Sequence, residues 1–304
     1  MPLFLAKKIA LFRKTWYNNK DQREKGVRRM GKFDGILLCS DLDGTLLNRD
    51  GAVSAENIEA IRYFQREGGF STFVTGRMPY FAAHIYQRVE PNAPFGCING
   101  GGIYDHRAGK YLWRRELPEE ALTLAGETIK AFPEVGLQVN TFDRIYFCRE
   151  SPVMEGFRRI TGVPNCPRPL AEIHEPMAKI VFGEHDPAVM TRLQIFLTEH
   201  PAAKQFDFIH SEQMLYEMLP KGVSKGILIQ KMAELLGIDP RKTVAVGDYY
   251  NDVPMLREAA LGVAVANACP AARAEADAVT VSNQEHAIAA VIRDLESGKL
   301  PLYE

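Results

Sequence analysis

The sequence predicts an α/β protein, with a doubly wound parallel-sheet (Rossmann-like) core and an α+β domain inserted into it. Three observations carry that reading. Short, wholly apolar runs such as "GILLCS" and "TVAVG" alternate with amphipathic stretches of helical period. This rhythm occupies both ends of the chain but breaks off in the middle, where paired strands follow a helix. No apolar run approaches the ~18 residues needed to span a membrane.

After residue 32, "GILLCS" reads as a strand and "SAENIEAIRYFQREGG" as a helix with Ser54 as N-cap and glycines at its end. "FSTFV" is a strand, "PYFAAHIYQRV" a helix opening on Pro79, and "GCIN" another strand. A hairpin, "GGIYDHRAGKYLWRREL", turns at "HRAG". Residues 118 to 219 then read helix, strand, strand, helix, a Pro-rich loop, strand, helix, strand, strand. A helix–strand–strand unit thus appears twice, as an antiparallel α+β insert would require. The core rhythm returns with helix "SKGILIQKMAELLG", strand "TVAVG", helix "NDVPMLREAA" and strand "LGVAVA", followed by a short helix, strand "AVTVS" and a last helix. The expected division is a basic extension (1–32), a core (33–117 and 220–304) and an insert (118–219).

The chain has 304 residues, 46% hydrophobic and 25% charged, with a formal net charge of −1. That balance argues against a general nucleic-acid binder. The five cysteines are scattered, without CxxC spacing, and read as reduced thiols of a cytoplasmic protein. Charge is uneven, however. Residues 1–32 hold ten Lys or Arg against two Asp or Glu, a net of +8. Leu5, Ile9, Phe12 and Trp16 recur there at helical spacing, with Lys7 and Lys14 opposite. An amphipathic helix lying on an anionic membrane through residues 1–20 is the weaker reading. A disordered or loosely docked extension, or a domain opening at Met30, is preferred.

In a doubly wound sheet, ligands bind beyond the carboxyl ends of the strands. Asp41 and Asp43 follow "ILLCS", Thr75 follows "FSTFV", Asn99 follows "GCI" and Asp248 follows "TVAVG". Unpaired, three carboxylates brought together would repel, and one pKa would rise sharply. A hard divalent cation stabilises them, and a few carboxylates with water and phosphate oxygens are the ligands Mg²⁺ prefers. Lys225 and the backbone amides around Gly44 and Gly76 are placed to neutralise a phosphate.

Four motifs stand in order: "DLDGT" at 41–45, "VTGR" at 74–77, "GVSKG" at 222–226 and "GDYYND" at 247–252, with "NGG" at 99–101 and "VAVANA" at 263–268. On these motifs the sequence resembles the haloacid dehalogenase-like phosphatases over residues 33 to 304, and more narrowly the Cof-type branch with a C2B cap. The resemblance implies a Mg²⁺-dependent phosphomonoesterase acting on a small phosphate ester. Asp41 would be the nucleophile, forming an aspartyl-phosphate, and Asp43 the acid/base. It further implies Mg²⁺ on the side chains of Asp41 and Asp248 and the backbone carbonyl of Asp43. Phosphate would sit on the amides of Leu42 and Asp43, on Thr75 and Gly76, and on Lys225 and Asn251. Asp252 would orient Lys225 or a metal-bound water. Sugar phosphates are the substrates expected of the family, with flavin and pyridoxal phosphates behind them; oligomeric state is left open.

Plainer readings stand beside these. An Asp after a strand often caps a helix or forms a turn, and Thr75 is placed to cap the next helix. Lys225 as a solvated first-turn lysine would oppose the helix dipole. Asn99 is either a substrate contact or a turn former, and Arg77 an anion ligand or an ion-pair partner. Tyr249 and Tyr250 either pack under the cap or narrow the mouth of the site. Two rival functions remain: a phosphomutase of the phosphomannomutase type, gripping substrate with Arg144, Arg149, Arg158, Arg159 or Arg168, and a non-catalytic regulator that binds a phosphometabolite. A phospho-acceptor receiver domain fits poorly, being much shorter and lacking a cap.

Overall fold

The computed structural model describes residues 31–302, so the amphipathic stripe of the basic extension lies outside the described residues. The chain opens with β1 (Leu37–Ser40), α1 (Ala55–Arg66), β2 (Phe70–Phe73) and α2 (Pro79–Val89). Then come β3 (Phe95–Cys97), β4 (Gly102–Asp105) and β5 (Lys110–Arg114). The middle section holds α3 (Glu120–Ala131), β6 (Gly136–Thr141), β7 (Ile145–Arg149), α4 (Pro152–Thr161), β8 (Met177–Gly183), α5 (Pro187–Glu199), β9 (Phe206–Glu212) and β10 (Leu215–Pro220). Last are α6 (Lys225–Leu236), β11 (Thr243–Gly247), α7 (Val253–Glu258), β12 (Leu261–Ala264), α8 (Pro270–Glu275), β13 (Ala278–Val279) and α9 (Ala287–Glu296).

The central sheet is parallel, in the order β13-β12-β11-β1-β2. β1 and β11 lie side by side at its middle, with every residue buried, which is why both read as uninterrupted apolar runs. The helix signals hold locally. The Asn57 amide donates to Ser54 Oγ at the start of α1, and the Ile227 amide to Ser224 Oγ at the start of α6.

One strand departs from expectation. β3 does not extend the parallel sheet as a full strand but pairs antiparallel with β4 in a separate sheet, β3-β4-β5. It meets the main sheet through a bridge between Val74 and Gly96. The chain turns back directly after β3, where Ile98 (φ 57°), Asn99 (φ 51°) and Gly100 (φ 112°) all take the left-handed region.

The insert forms an antiparallel sheet in the order β7-β6-β8-β10-β9. Strand alternation gives it two unlike faces. Leu137, Val139, Ile180, Phe182 and Met218 form a core with Leu124 of α3 and Leu193 of α5. On the opposite face stand Gln138, Asn140, Lys179 and Glu217, all buried despite their polarity. Lys179 meets the Gly76 carbonyl beyond β2 of the central sheet, and Glu217 meets Asn99 beyond β3.

Candidate active site

The site begins with two adjacent strand ends. Ser40 is in register with Val246, so Asp41 and Asp248 leave neighbouring strands at nearly the same height. Between them the chain makes one wide turn through residues 42–46, with Gly44 at φ 78°. A Cβ on Gly44 would stand 2.4 Å from Asp248 Oδ2, so this close passage admits only glycine. Thr45 donates its hydroxyl to Asp248 Oδ1 at 2.8 Å, and Asn267 of "VAVANA" donates to the Gly44 carbonyl at 2.8 Å.

Lys225, at the first turn of α6, is 1% exposed. Its ammonium donates to Asp41 Oδ1 at 2.7 Å and to Asp252 Oδ1. The reading as a solvated lysine therefore fails: two carboxylates compensate its awkward place on the helix. Asp252 also accepts the amides of Asp248 and Tyr249 on Oδ2, at 2.8 and 3.0 Å. Burial pushes the Asp41 carboxyl well above the ordinary range; Asp252 adds to this, and Lys225 opposes it. Burial and Asp252 likewise push Asp248 up to about 7. For Lys225 burial works against the charge, but Asp252 and Asp41 outweigh it and hold its pKa above the usual lysine value.

Ligand atoms of Asp41, Asp248 and Asp252 lie within 4.8 Å of one another. Three ionised carboxylates and one ammonium leave a formal −2, the charge a divalent cation cancels. Both Asp252 oxygens are engaged as described, while Asp41 Oδ2 and Asp248 Oδ2 take no part in these bonds. The donor set is hard oxygen throughout, so the cluster fits a divalent metal.

Asp43 does not join it. Its carboxylate sits in the fork of Arg77, with Nε to Oδ2 at 2.9 Å and Nη2 to Oδ1 at 2.6 Å. Any part it takes in holding a cation falls to its backbone carbonyl, and Arg77 is its ion-pair partner. Thr75 is buried and accepts the Arg77 amide at 3.2 Å, so its own O–H is left to donate. The N-cap of α2 is Met78, so Thr75 is not the cap. Asn99 is both turn former and polar link: it donates to Glu217 Oε2 at 2.8 Å and accepts from Asn251 Nδ2 at 3.1 Å. It also lies against Gly76, where a Cβ would come within 2.8 Å of Asn99 Oδ1. Leu42 is buried in the turn after β1. Tyr249 and Tyr250 pack edge to face at 5.1 Å, and Tyr250 is exposed.

Two residues escaped sequence reasoning. Lys179 on β8 donates to Glu217 Oε1 on β10 at 2.7 Å and to the Gly76 carbonyl at 3.2 Å. The available signal was a lone charge inside each of two otherwise apolar strands. Three of the five candidate substrate-gripping arginines, by contrast, have local partners. Arg158 pairs with Glu150 and covers Phe147, Arg168 pairs with Glu175 and covers Tyr146, and Arg149 donates to the Pro133 carbonyl.

A parallel core sheet thus carries a buried acidic cluster at its strand ends, with an α+β insert facing that cluster, the layout of a hydrolase with a capped site. Residues 38–292 match the family model of the haloacid dehalogenase-like hydrolases, and the chain belongs to that family. It is 22% identical over 262 residues to the 5-amino-6-(5-phospho-D-ribitylamino)uracil phosphatase YitU of Bacillus subtilis, covering 85% of this chain and 96% of that one. It is 28% identical over 239 residues to the HMP-PP phosphatase of Serratia proteamaculans, covering 77% and 85%. Against the chloroplastic endoribonuclease YBEY of Arabidopsis thaliana it is 25% identical over 287 residues, covering 90% of this chain but spanning only about half (48%) of that protein. Among solved structures, a haloacid dehalogenase-like hydrolase from B. subtilis superposes with a TM-score of 0.74 at 26% identity, covering 84% and 98%.

Proposed function

We propose that this protein is a Mg²⁺-dependent phosphomonoesterase of the cytoplasm, working through an aspartyl-phosphate on Asp41 and acting on a sugar phosphate or similar metabolite. On this reading residues 33–117 and 220–304 form the catalytic core, and 118–219 a cap that excludes water and reads the leaving group. The observation that carries it is the Lys225 ammonium held between Asp41 and Asp252 beside Asp248, a buried arrangement two charges short of neutrality. Names of relatives add support, since YitU and the HMP-PP enzyme are both called phosphatases.

Each residue then has a task. An Asp41 oxygen attacks phosphorus as the bond to the leaving oxygen breaks, and Asp43, released from the Arg77 fork and entering this step protonated, delivers its proton to that oxygen. Asp43 next takes a proton from the water that cleaves the aspartyl-phosphate, which frees phosphate and restores Asp41. The amides of Leu42 and Asp43, the Thr75 hydroxyl, the Gly76 amide, Lys225 and Asn251 hold the phosphoryl oxygens. Asp252 fixes Lys225, and Arg77 fixes Asp43 between turns. Asp41, Asp248 and the Asp43 carbonyl would hold a divalent cation, which would supply charge that offsets the approach of an anionic ester to an anionic nucleophile.

The mutase reading loses support because three of its five arginines are engaged within the insert. The test is phosphate release from sugar, nucleotide and cofactor phosphates, with Mg²⁺ and with EDTA, for wild type and Asp41→Asn. Release that requires Mg²⁺ and vanishes in the variant is expected. A hexose 1-phosphate returned as the 6-phosphate with little free phosphate would favour a mutase instead.

A further inference from the structure

The cap face turned toward the phosphate loops carries a buried ion pair that the hydrolytic steps do not use. Lys179 and Glu217 have side chains 7% and 3% exposed and lie 2.7 Å apart. Such a pair is a weak stabiliser, because desolvation offsets most of its attraction, and an apolar pair of similar volume often does as well or better. Its remaining partners are the Gly76 carbonyl, next to the proposed phosphate ligand Thr75, and the Asn99 side-chain amide, whose oxygen accepts from the proposed phosphate ligand Asn251.

The polar face continues outward from the pair. Asn140 is in register with Lys179 across β6 and β8, and accepts from Gln138 Nε2 at 3.2 Å. Gln138 Oε1 is buried without a hydrogen-bond partner among the described residues, and so is Asn251 Oδ1 at the inner end of the Glu217–Asn99–Asn251 chain. Both residues are more than nine-tenths buried. Buried acceptors left open on either side of the ion pair point to a ligand that brings hydroxyl donors.

Charge narrows the ligand further. Lys179 and Glu217 cancel, while Glu212 at the end of β9 lies close enough to Asp43, Glu217, Lys179 and Arg77 to interact with all four. A second anionic group on the ester would meet these carboxylates, and a purely apolar one would leave the polar face unsatisfied. Neighbouring hydroxyls fit both ends of the pair: one donates to the carboxylate and the next accepts from the ammonium.

We propose that Lys179 and Glu217 are the specificity pair of this enzyme and read vicinal hydroxyls on the leaving group, so that the substrate is the monophosphate of an uncharged polyhydroxy alcohol. This rests on the phosphomonoesterase reading. In binding, a hydroxyl replaces the 3.2 Å contact of Lys179 to the Gly76 carbonyl, the longest bond either residue makes here.

The experiment compares kcat/KM for ribitol 5-phosphate and for pentyl phosphate, which differ only in hydroxyls, in wild type, Glu217→Gln and the double variant Lys179→Met/Glu217→Leu. The double variant replaces the pair by apolar groups and is expected to fold even where a single change is costly. Wild type should prefer ribitol 5-phosphate by about 100-fold, and each charge-assisted bond lost should shrink that ratio by about 10- to 100-fold. A purely structural role would lower both substrates together and leave the ratio intact. A retained ratio in the folded double variant, or a wild-type ratio near one, overturns the proposal. If neither ester is hydrolysed, the phosphomonoesterase reading falls and the melting temperature decides the rest. A larger rise with ribitol 5-phosphate than with pentyl phosphate then sustains hydroxyl reading, and equal rises overturn it.

Discussion

Replacing Lys225 by Met tests the electrostatics of the site without opening a large cavity. The side chain is 1% exposed and faces two carboxylates, of which Asp41 is 7% exposed and Asp252 fully buried. Removing one partner of such a pair typically costs about 3–5 kcal/mol, because the charges left behind stay buried and uncompensated. The pH dependence has a definite sign. The Asp41 carboxyl already titrates above its unfolded value because of burial, and Lys225 restrains that rise. Without the lysine it rises further. A carboxyl raised on folding stabilises the native state below its unfolded pKa of ~3.9, and this contribution is lost as pH climbs through the folded value. Lys225→Met should therefore be more destabilised relative to wild type at pH 8 than at pH 5. Urea denaturation of both proteins in EDTA, at several pH values, measures this directly. A deficit below about 1 kcal/mol at pH 8, or one that widens on acidification, would refute the claim that Lys225 compensates a buried acidic cluster.

Gly44→Ala places a Cβ 2.4 Å from Asp248 Oδ2 on a residue with φ 78°; metal-dependent phosphate release should fall at least tenfold, while far-UV circular dichroism stays native. Arg77→Ala frees the Asp43 carboxylate, and turnover should drop about 10- to 100-fold with a stability change under about 1 kcal/mol, since the pair is partly exposed. Because Asp248 must lose a proton held to about pH 7, Mg²⁺ should raise the melting temperature strongly at pH 8 and progressively less below pH 7; equal shifts at pH 5.5 and 8 would contradict this. Asp41→Asn removes a buried charge, so the metal-free protein should be as stable as wild type or more so while phosphate release disappears.

The strand-end residues were legible because each sits where an apolar run stops, and a parallel sheet brings such ends together. Asp41 and Asp248 needed no more than that. The local signals of Ser54 and Pro79 were equally plain, since a cap acts within one turn. Less legible was anything that depends on pairing across distant chain. Lys179 and Glu217 are 38 residues apart and meet only because β8 and β10 are neighbours in the insert sheet. The Asp43–Arg77 fork joins two motifs whose separate roles gave no hint of their contact. The detachment of β3 was hidden too, because it turns on a left-handed Ile98, an uncommon conformation for a β-branched residue that the surrounding packing must enforce.

The two-faced insert sheet has an evolutionary consequence. Successive residues of β6, β8 and β10 alternate between a hydrocarbon interior and a mixed face that holds Gln138, Asn140, Lys179 and Glu217 beside Val181 and Leu215, so two different demands act on one stretch of chain. Positions such as Ile180 and Met218 are constrained by packing density, whereas Lys179 and Glu217 are constrained by each other, since one buried charge without its partner is costly. Lineages can thus exchange one set of recognition residues for another at fixed architecture. Two relatives that are 22% and 28% identical to this chain and are named for different phosphatase substrates are what such an arrangement would leave behind.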